Sequence, residues 1–232
     1  MSRSTVTGTE TVSNVIKSMR LDFHIQKANY KTFFAVGYAL AILLGVVTRT
    51  PYVSVVIAMI VSAAFSSFVF LVSERNRLGR LYGILPLRKS ELVLGRYLYT
   101  LLFGLANAIT ASLLTYVISL VTSHTVAFLD LSAYVCASFL YFCLFTAIVF
   151  PVYFRFGFSK NYLLTNVPLY VLYAAGYGLI RKGNLKNLHV VTQYFTRNPG
   201  LTWLCGVGGG LALLAVSYVL SRLTCQRHEQ WR

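Results

Sequence analysis

Six apolar runs without Asp, Glu, Lys, Arg or His do most to restrict the fold of this chain. They cover residues 32–48, 52–72, 97–121, 131–152, 163–180 and 201–221. At 1.5 Å of helix rise per residue, helices of these lengths cross a hydrocarbon core of about 30 Å, the first only just. We therefore predict an all-α polytopic membrane protein with six transmembrane helices.

The composition agrees with a membrane protein and limits the kinds of catalysis and metal binding that the chain could carry out. The chain is 56% hydrophobic and 12% charged, whereas soluble domains carry about 25% charged residues. Its 232 residues include only six carboxylates, which argues against carboxylate catalysis and carboxylate metal sites. Because none of the runs contains an ionisable proton or ion carrier, a transporter coupled to protons or sodium has little support.

The connections between the runs differ strongly in positive charge. Sixteen of the 21 Lys and Arg residues fall in residues 1–31, 73–96, 153–162 and 222–232. By the positive-inside rule, both termini and residues 73–96 are predicted to be cytoplasmic, in a plasma membrane of bacterial type. This distribution explains the net charge of +15 without nucleic acid.

Residues 12–31 are predicted to form an amphipathic connecting helix that follows a short cytoplasmic tail. The apolar face consists of Val12, Ile16, Met19, Phe23 and Tyr30, and the cationic face of Lys17, Arg20, His24, Lys27 and Lys31. Such a helix lies in the headgroup layer with its cations toward anionic lipid, so membrane lipid is a predicted partner. An ordinary solvated helix is the alternative, which the adjoining apolar run disfavours.

Residues 73–96 are the longest strongly polar segment between two long apolar runs. Leu78, Leu81 and Leu85 are spaced by three and four, as on one face of a short helix. Pro86 ends that helix, and Ser90 is placed to cap the next one. We predict a short cytoplasmic helix that docks onto a partner; binding to anionic lipid alone is the competing interpretation.

Sequence motifs for catalysis are missing. The glycine run at residues 206–210 lacks the Lys-Ser/Thr of a Walker A motif, and the histidines have no metal-ligand spacing. We therefore predict a chain that is not an enzyme, with no metal and no cofactor of its own. Asn107 and Asn166 are the most polar groups within the runs and are possible cavity-lining residues, although hydrogen bonding to neighbouring helices is the commoner role.

The order of these segments resembles the membrane (permease) subunits of type-2 ABC exporters. The local match begins at Glu74 and continues through Leu85-Pro86-Leu87-Arg88-Lys89 to Gly95-Arg96-Tyr97. It is similar to the family's passage of an acid, a short helix, Leu-Pro-x-x-Arg/Lys and Gly-Lys-Tyr, with Arg96 where lysine is usual. The resemblance implies a coupling helix at residues 75–85 and an outer re-entrant segment at residues 181–200.

The resemblance further implies export driven by a separate ABC ATPase subunit, which would bind ATP and Mg²⁺, and a second permease copy, identical or paralogous. We expect the leucines and Tyr82 to insert into an ATPase groove, the arginines to orient the contact, and Glu74 to tie the helix to the second span. The expected ATPase-coupling residues are Glu74, Arg75, Arg77, Leu78, Arg80, Leu81, Tyr82, Leu85 and Arg88.

The apolar runs also bear on the substrate class and on assembly. Runs rich in Phe and Tyr but free of charge favour an amphiphile, such as a peptide, a lipid-like or a drug-like molecule, over an ion. The alternative function is the six-span substrate-binding subunit of a vitamin-type importer, which lacks a docking helix between spans two and three. Small residues four apart, such as Ala35/Ala39 and Gly206/Gly210, fit either packing within the bundle or a dimer seam.

Overall fold

A computed structural model describes residues 8–76, 89–122, 126–158 and 198–227, and in these residues all regular structure is helical. The helices are α1 (Gly8–Val47), α2 (Tyr52–Ser66), α3 (Phe68–Arg75), α4 (Lys89–Thr122), α5 (Phe128–Phe156), α6 (Pro199–Trp203), a π-helix (Leu204–Gly208) and α7 (Gly209–Arg227). The predicted all-α class is confirmed for these residues. The apolar run at 163–180 lies outside them, as do residues 77–88 and most of 181–200.

Among the residues that the structure describes, five stretches are long and apolar enough to cross a membrane. They are Tyr30–Val47, Tyr52–Arg75, Ser90–Thr122, Phe128–Phe156 and Pro199–Cys225. Each contains one of the predicted runs or nearly all of it. The fourth helix begins at Lys89, so Ser90 already lies inside the helix and does not cap it as predicted.

The first helix is longer than the sequence pattern predicts. α1 continues for 40 residues without interruption, a length of about 60 Å. The predicted separation between an amphipathic helix at residues 12–31 and a span from residue 32 is therefore not confirmed. No Gly or Pro stands between residues 9 and 36, so the sequence holds no signal that would stop the helix there.

The second span is divided by a turn at Ser67. The N–H of Ser67 bonds to the carbonyl of Ala64 at 3.2 Å, three residues back. The hydroxyls of Ser62 and Ser66 also donate to backbone carbonyls of the preceding turn, at 2.7 Å. Such bonds compete with the regular helical ladder and bend helices, which accounts for the break between α2 and α3.

The relative orientation of the helices follows from the contacts between residues of neighbouring helices. α1 and α4 run parallel, because Gly45 faces Ile118 at one end and Ser18 faces Gly95 at the other. The last span is likewise parallel to α5, since Gly206 lies against Cys136 and Ser217 Oγ donates to the carbonyl of Ala147 at 2.8 Å. Residues 158 and 198, which flank the undescribed stretch, therefore lie at opposite ends of the bundle.

The core is aromatic and centres on α5. Phe142, Phe145 and Phe150 of this helix are fully buried. A Cβ built at Gly206 would lie 2.6 Å from the Cβ of Cys136, so the last span approaches α5 more closely than any other residue there would allow. Gly206 thus serves packing within the bundle, one of the two interpretations that its spacing allows.

Candidate functional site

The predicted coupling segment connects the end of α3 at Arg75 to the start of α4 at Lys89. The structure describes Glu74 and Arg75 of the predicted coupling residues, both exposed. The others lie outside the described residues: Arg77, Leu78, Arg80, Leu81, Tyr82, Leu85 and Arg88. What the structure gives is the way in which the two flanks of this segment are held.

Glu74 connects the end of α3 to the end of α5. Its carboxylate accepts the backbone N–H of Phe158 at 2.8 Å. Phe158 follows Gly157, whose φ of +78° turns the chain at the end of α5, a conformation that glycine adopts without strain. The sequence predicts that Glu74 anchors the coupling segment to the second span, and its observed contact extends that anchor to α5.

Glu91 holds the other flank. It is buried in the first turn of α4, where a carboxylate interacts favourably with the helix dipole. Its Oε2 accepts a hydrogen bond from Asn14 Nδ2 at 3.2 Å. The start of α4 is therefore joined to α1.

Gly95 lets α1 and α4 touch almost backbone to backbone. A Cβ built at this position would lie 2.6 Å from Ser18 Oγ and 3.3 Å from the carbonyl oxygen of Val15. No side chain fits this space without displacing α1.

Arg96 is buried beside three elements, with 1% of the residue exposed. Its Nε lies 3.7 Å from an oxygen of Asp22 on α1, and its Nη2 donates to Ser73 Oγ on α3 at 2.9 Å. The guanidinium also lies 4.6 Å from the ring centre of Phe70 and 5.7 Å from that of Phe154 on α5. Cation–π contact and the carboxylate together offset part of the cost of burying the charge.

Tyr97 extends the same joint to the last span. Its hydroxyl hydrogen-bonds to Ser217 at 2.6 Å and to Ser221 at 2.8 Å, both on α7. Three consecutive residues of α4 thus contact α1, then α3 and α5, then α7. We call the set Asp22, Ser73, Glu74, Glu91, Gly95, Arg96 and Tyr97 the charged junction.

Of the junction residues, only Glu74 was predicted as a site residue from the sequence, and Asp22 was not singled out at all. Burial raises the pKa of Asp22 to about 6, against the opposing attraction of Arg96. It lies before the apolar span of α1, about 37 Å by helix rise from Val47 at the far end of that helix, which exceeds a hydrocarbon core of about 30 Å. A usable signal was present: Ser18, Asp22 and Gln26 recur every four residues as a polar stripe, and all three are buried.

The remaining predicted site residues have other surroundings. On α1, Ile16, Lys17, Arg20, Phe23 and Lys27 are exposed and Met19 is half-buried, as expected for a surface that faces solvent or lipid.

Asn107 connects two helices. It is buried, accepts a hydrogen bond from the Tyr38 hydroxyl at 3.1 Å, and donates to the carbonyl of Phe103 at 2.9 Å. It therefore joins α4 to α1, and it also lines a groove between these helices. Asn166 lies outside the described residues.

Comparison with known proteins identifies the family. Residues 19–223 match the family model described as ABC-2 family transporter protein. Neither the curated proteins nor the solved structures give a match. Because the family model covers most of the 232 residues, the chain belongs to the ABC-2 transporter family, as the resemblance predicts.

Proposed function

We propose that this chain is the permease subunit of an exporter driven by a separate ATPase subunit, which binds ATP and Mg²⁺ and docks on the coupling helix at residues 75–85. Membership of the ABC-2 family supports a permease and does not favour the vitamin-importer alternative. The observation that carries the proposal is the charged junction. It fixes both flanks of residues 77–88 to the described spans.

The junction would transmit movement because its contacts resist separation. Losing one partner of a buried ion pair typically costs about 3–5 kcal/mol, and Gly95 leaves no gap between α4 and α1. A push on the start of α4 therefore moves α1 and α7 with it more readily than it separates them. An ATPase bound at the coupling helix, residues 75–85, would act on this joint.

The proposed topology has six spans with both termini in the cytoplasm. Support for a crossing between residues 158 and 198 comes from the parallel packing of α5 and the last span, since the connection must return along the bundle. The apolar run at 163–180 is long enough to supply it. The uneven distribution of Lys and Arg supports the orientation.

An amphiphilic substrate fits the described surface better than an ion. A groove of about 480 Å³ lies between α4, α5 and the last span, and most of the side chains around it are apolar, among them Leu113, Phe139 and Trp203. Such a lining suits hydrocarbon or aromatic groups. We propose that a second permease copy, identical or paralogous, completes the path.

The test replaces Leu81 and Tyr82 together with Asp. If residues 75–85 dock the ATPase, the tagged wild-type chain purified from its native membrane carries ATPase activity with it. The Leu81→Asp/Tyr82→Asp variant should then recover at least tenfold less ATPase activity. A matched control is Phe128→Asp/Leu129→Asp, since these adjacent apolar residues are exposed at the opposite end of the bundle. Undiminished ATPase recovery with the first variant contradicts the docking proposal.

A further inference from the structure

A groove of about 310 Å³ runs between α1 and α4, separate from the charged junction. Its lining consists of Phe23, Tyr30, Phe34, Phe103, Ala106, Asn107 and Thr110. The ring of Tyr30 connects the two walls, with its centre 5.6 Å from that of Phe34 and 6.0 Å from that of Phe103. The two polar side chains on α4 are already bonded, because the Tyr38 hydroxyl contacts both Asn107 and Thr110. The groove is therefore suited to hydrocarbon.

The groove crosses the boundary between the headgroup layer and the hydrocarbon of one leaflet. Along α1 it extends from Phe23 to Phe34, about 16 Å by helix rise, with Phe23 before the apolar span and Phe34 inside it. The apolar span of α1 begins at Tyr30. Lys27 is one helical turn before that point, at the level where headgroups begin.

One rim of the groove carries three cationic side chains. With 100° per residue, Arg20, Lys27 and Lys31 project within about 80° of Phe23, on the side away from the buried stripe. All three are exposed. The carboxylate of Asp22 faces Arg96 in the interior. Among the described residues, no carboxylate forms an ion pair with Arg20, Lys27 or Lys31.

We propose that the groove binds one anionic phospholipid. Its phosphate contacts Lys27 and Lys31, one helical turn apart, while Arg20 adds to the positive field about 10 Å before Lys27 by helix rise. An acyl chain lies along Tyr30, Phe34 and Phe103. A zwitterionic lipid fits less well, because its own ammonium group would face the same cations. A second copy of the chain is disfavoured for a similar reason: packing this rim near its symmetry mate would bring two cationic stripes together.

The test measures which lipid stays bound to the full-length protein. The chain is purified in detergent with equal amounts of phosphatidylglycerol and phosphatidylcholine of identical acyl chains, and retained lipids are counted by native mass spectrometry. We expect one retained phosphatidylglycerol. Lys27→Gln lowers its preference over phosphatidylcholine about fivefold, as expected for one cation near an anionic headgroup. Ala106→Trp fills the groove and removes both lipids.

Two matched controls distinguish lipid binding in the groove from general attraction of anionic lipid to the cationic surface. Lys17 is exposed on the same helix about 15 Å away from Lys27 by helix rise, so Lys17→Gln leaves retention unchanged. Leu102 is exposed on α4 and is not among the lining residues, so Leu102→Trp does the same. Lys27→Gln is a surface change and decides the matter if Ala106→Trp does not fold.

Three results overturn the proposal. Equal losses for Lys17→Gln and Lys27→Gln would mean diffuse attraction to the cationic face. Retained phosphatidylglycerol in a folded Ala106→Trp variant would place the lipid elsewhere. The third result combines two observations: the wild-type protein retains no lipid, and Ala106→Trp has a smaller oligomeric mass than the wild type. Together they would assign the groove to a second copy of the chain.

Discussion

At the scale of single residues, the position of Arg96 is the most demanding in the described structure. Charged side chains are almost never fully buried unless they are paired, and Arg96 has 1% of its surface exposed. Its partner Asp22 is equally enclosed, with side-chain exposure of 1%. Because the raised pKa of Asp22 means that burial costs more than Arg96 returns, the carboxylate depends on the guanidinium to remain charged.

This dependence predicts a pH-sensitive effect of Arg96→Met. Without Arg96 the pKa of Asp22 rises further above 6, so its folded form holds a proton that the unfolded form releases near 3.8. Where the folded state binds more protons, stability falls as the pH rises. We expect Arg96→Met to lower the unfolding free energy by about 3–5 kcal/mol at pH 8 and clearly less at pH 5, measured by thermal unfolding in detergent.

The double variant Arg96→Met/Asp22→Asn isolates this cause from the other carboxylates at the same end, Glu74 and Glu91. It should recover most of the stability at pH 8 and lose the additional slope between pH 5 and pH 8. An identical loss for the single and double variants at both pH values would contradict the interpretation.

A second residue-scale prediction concerns Gly95. Gly95→Ala places a Cβ 2.6 Å from Ser18 Oγ, and overpacking of this kind costs about 1–3 kcal/mol. The double variant Gly95→Ala/Ser18→Gly restores the space and should recover most of the loss in thermal unfolding. Gly208→Ala serves as the control, because beyond its own helical turn no atom of the described residues lies within 4 Å of the added methyl group. Equal losses at both glycines would show that helix contact at Gly95 is not the cause.

At the scale of elements, the sharp reversal between α1 and α2 takes place over four residues, Thr48 to Pro51. Arg49 has a φ of 53°, in the left-handed region that costs a residue with a Cβ about 1–2 kcal/mol. The hydroxyl of Thr48 donates to the carbonyl of Leu44 at 2.7 Å and helps to end α1. This turn therefore tolerates the strain because the flanking helices are already fixed.

Arg49→Gly is accordingly expected to stabilise the protein. Relief of the left-handed strain should raise the unfolding free energy by about 0.5–1 kcal/mol, net of the greater freedom of glycine in the unfolded chain. Arg49→Val should lower it, since a β-branched residue is a genuine outlier at positive φ. Urea or thermal unfolding of both variants measures the difference, and no stabilisation by glycine would argue against strain at this turn.

The positions of most helices could be predicted from the sequence, whereas the unbroken length of α1 and the charged junction could not. Apolar runs locate helices because charge is excluded from hydrocarbon. The position of Glu74 at the end of a span can be read locally, but its bond to Phe158, 84 positions away, cannot. The length of α1 could not be predicted, since a change from amphipathic to apolar composition does not itself interrupt a helix. The role of Asp22 depends on residues 74 positions away in the chain, and only the stripe of Ser18, Asp22 and Gln26 pointed to it.

At the scale of the whole molecule, the relative orientation of the described spans decides which helix ends lie on the same side of the membrane. α1 and α4 run one way, and the second span, α5 and the last span run the other, as their paired residues require. Two of the described spans therefore point one way and three point the other. The proposed six-span topology needs a third span in the first direction, and it must lie between residues 158 and 198. The consequence can be measured without knowledge of the substrate.

Ala127 and Asn198, both exposed, should face the same side of the membrane. In a Cys205→Ser background, which removes the exposed cysteine among the described residues, Ala127→Cys and Asn198→Cys should react with an impermeant maleimide from one side. Arg75→Cys should react from the other side only. Labelling of Ala127→Cys and Asn198→Cys from opposite sides would contradict the parallel arrangement of α5 and the last span.

The most direct test of the account labels a single cysteine in the predicted coupling segment, Gly79→Cys in the Cys205→Ser background. The account predicts that impermeant maleimide reaches this cysteine in inside-out vesicles but not in right-side-out vesicles, and that a bound ATPase subunit protects it. Labelling in right-side-out vesicles, or labelling from the inside that the ATPase does not diminish, would contradict it.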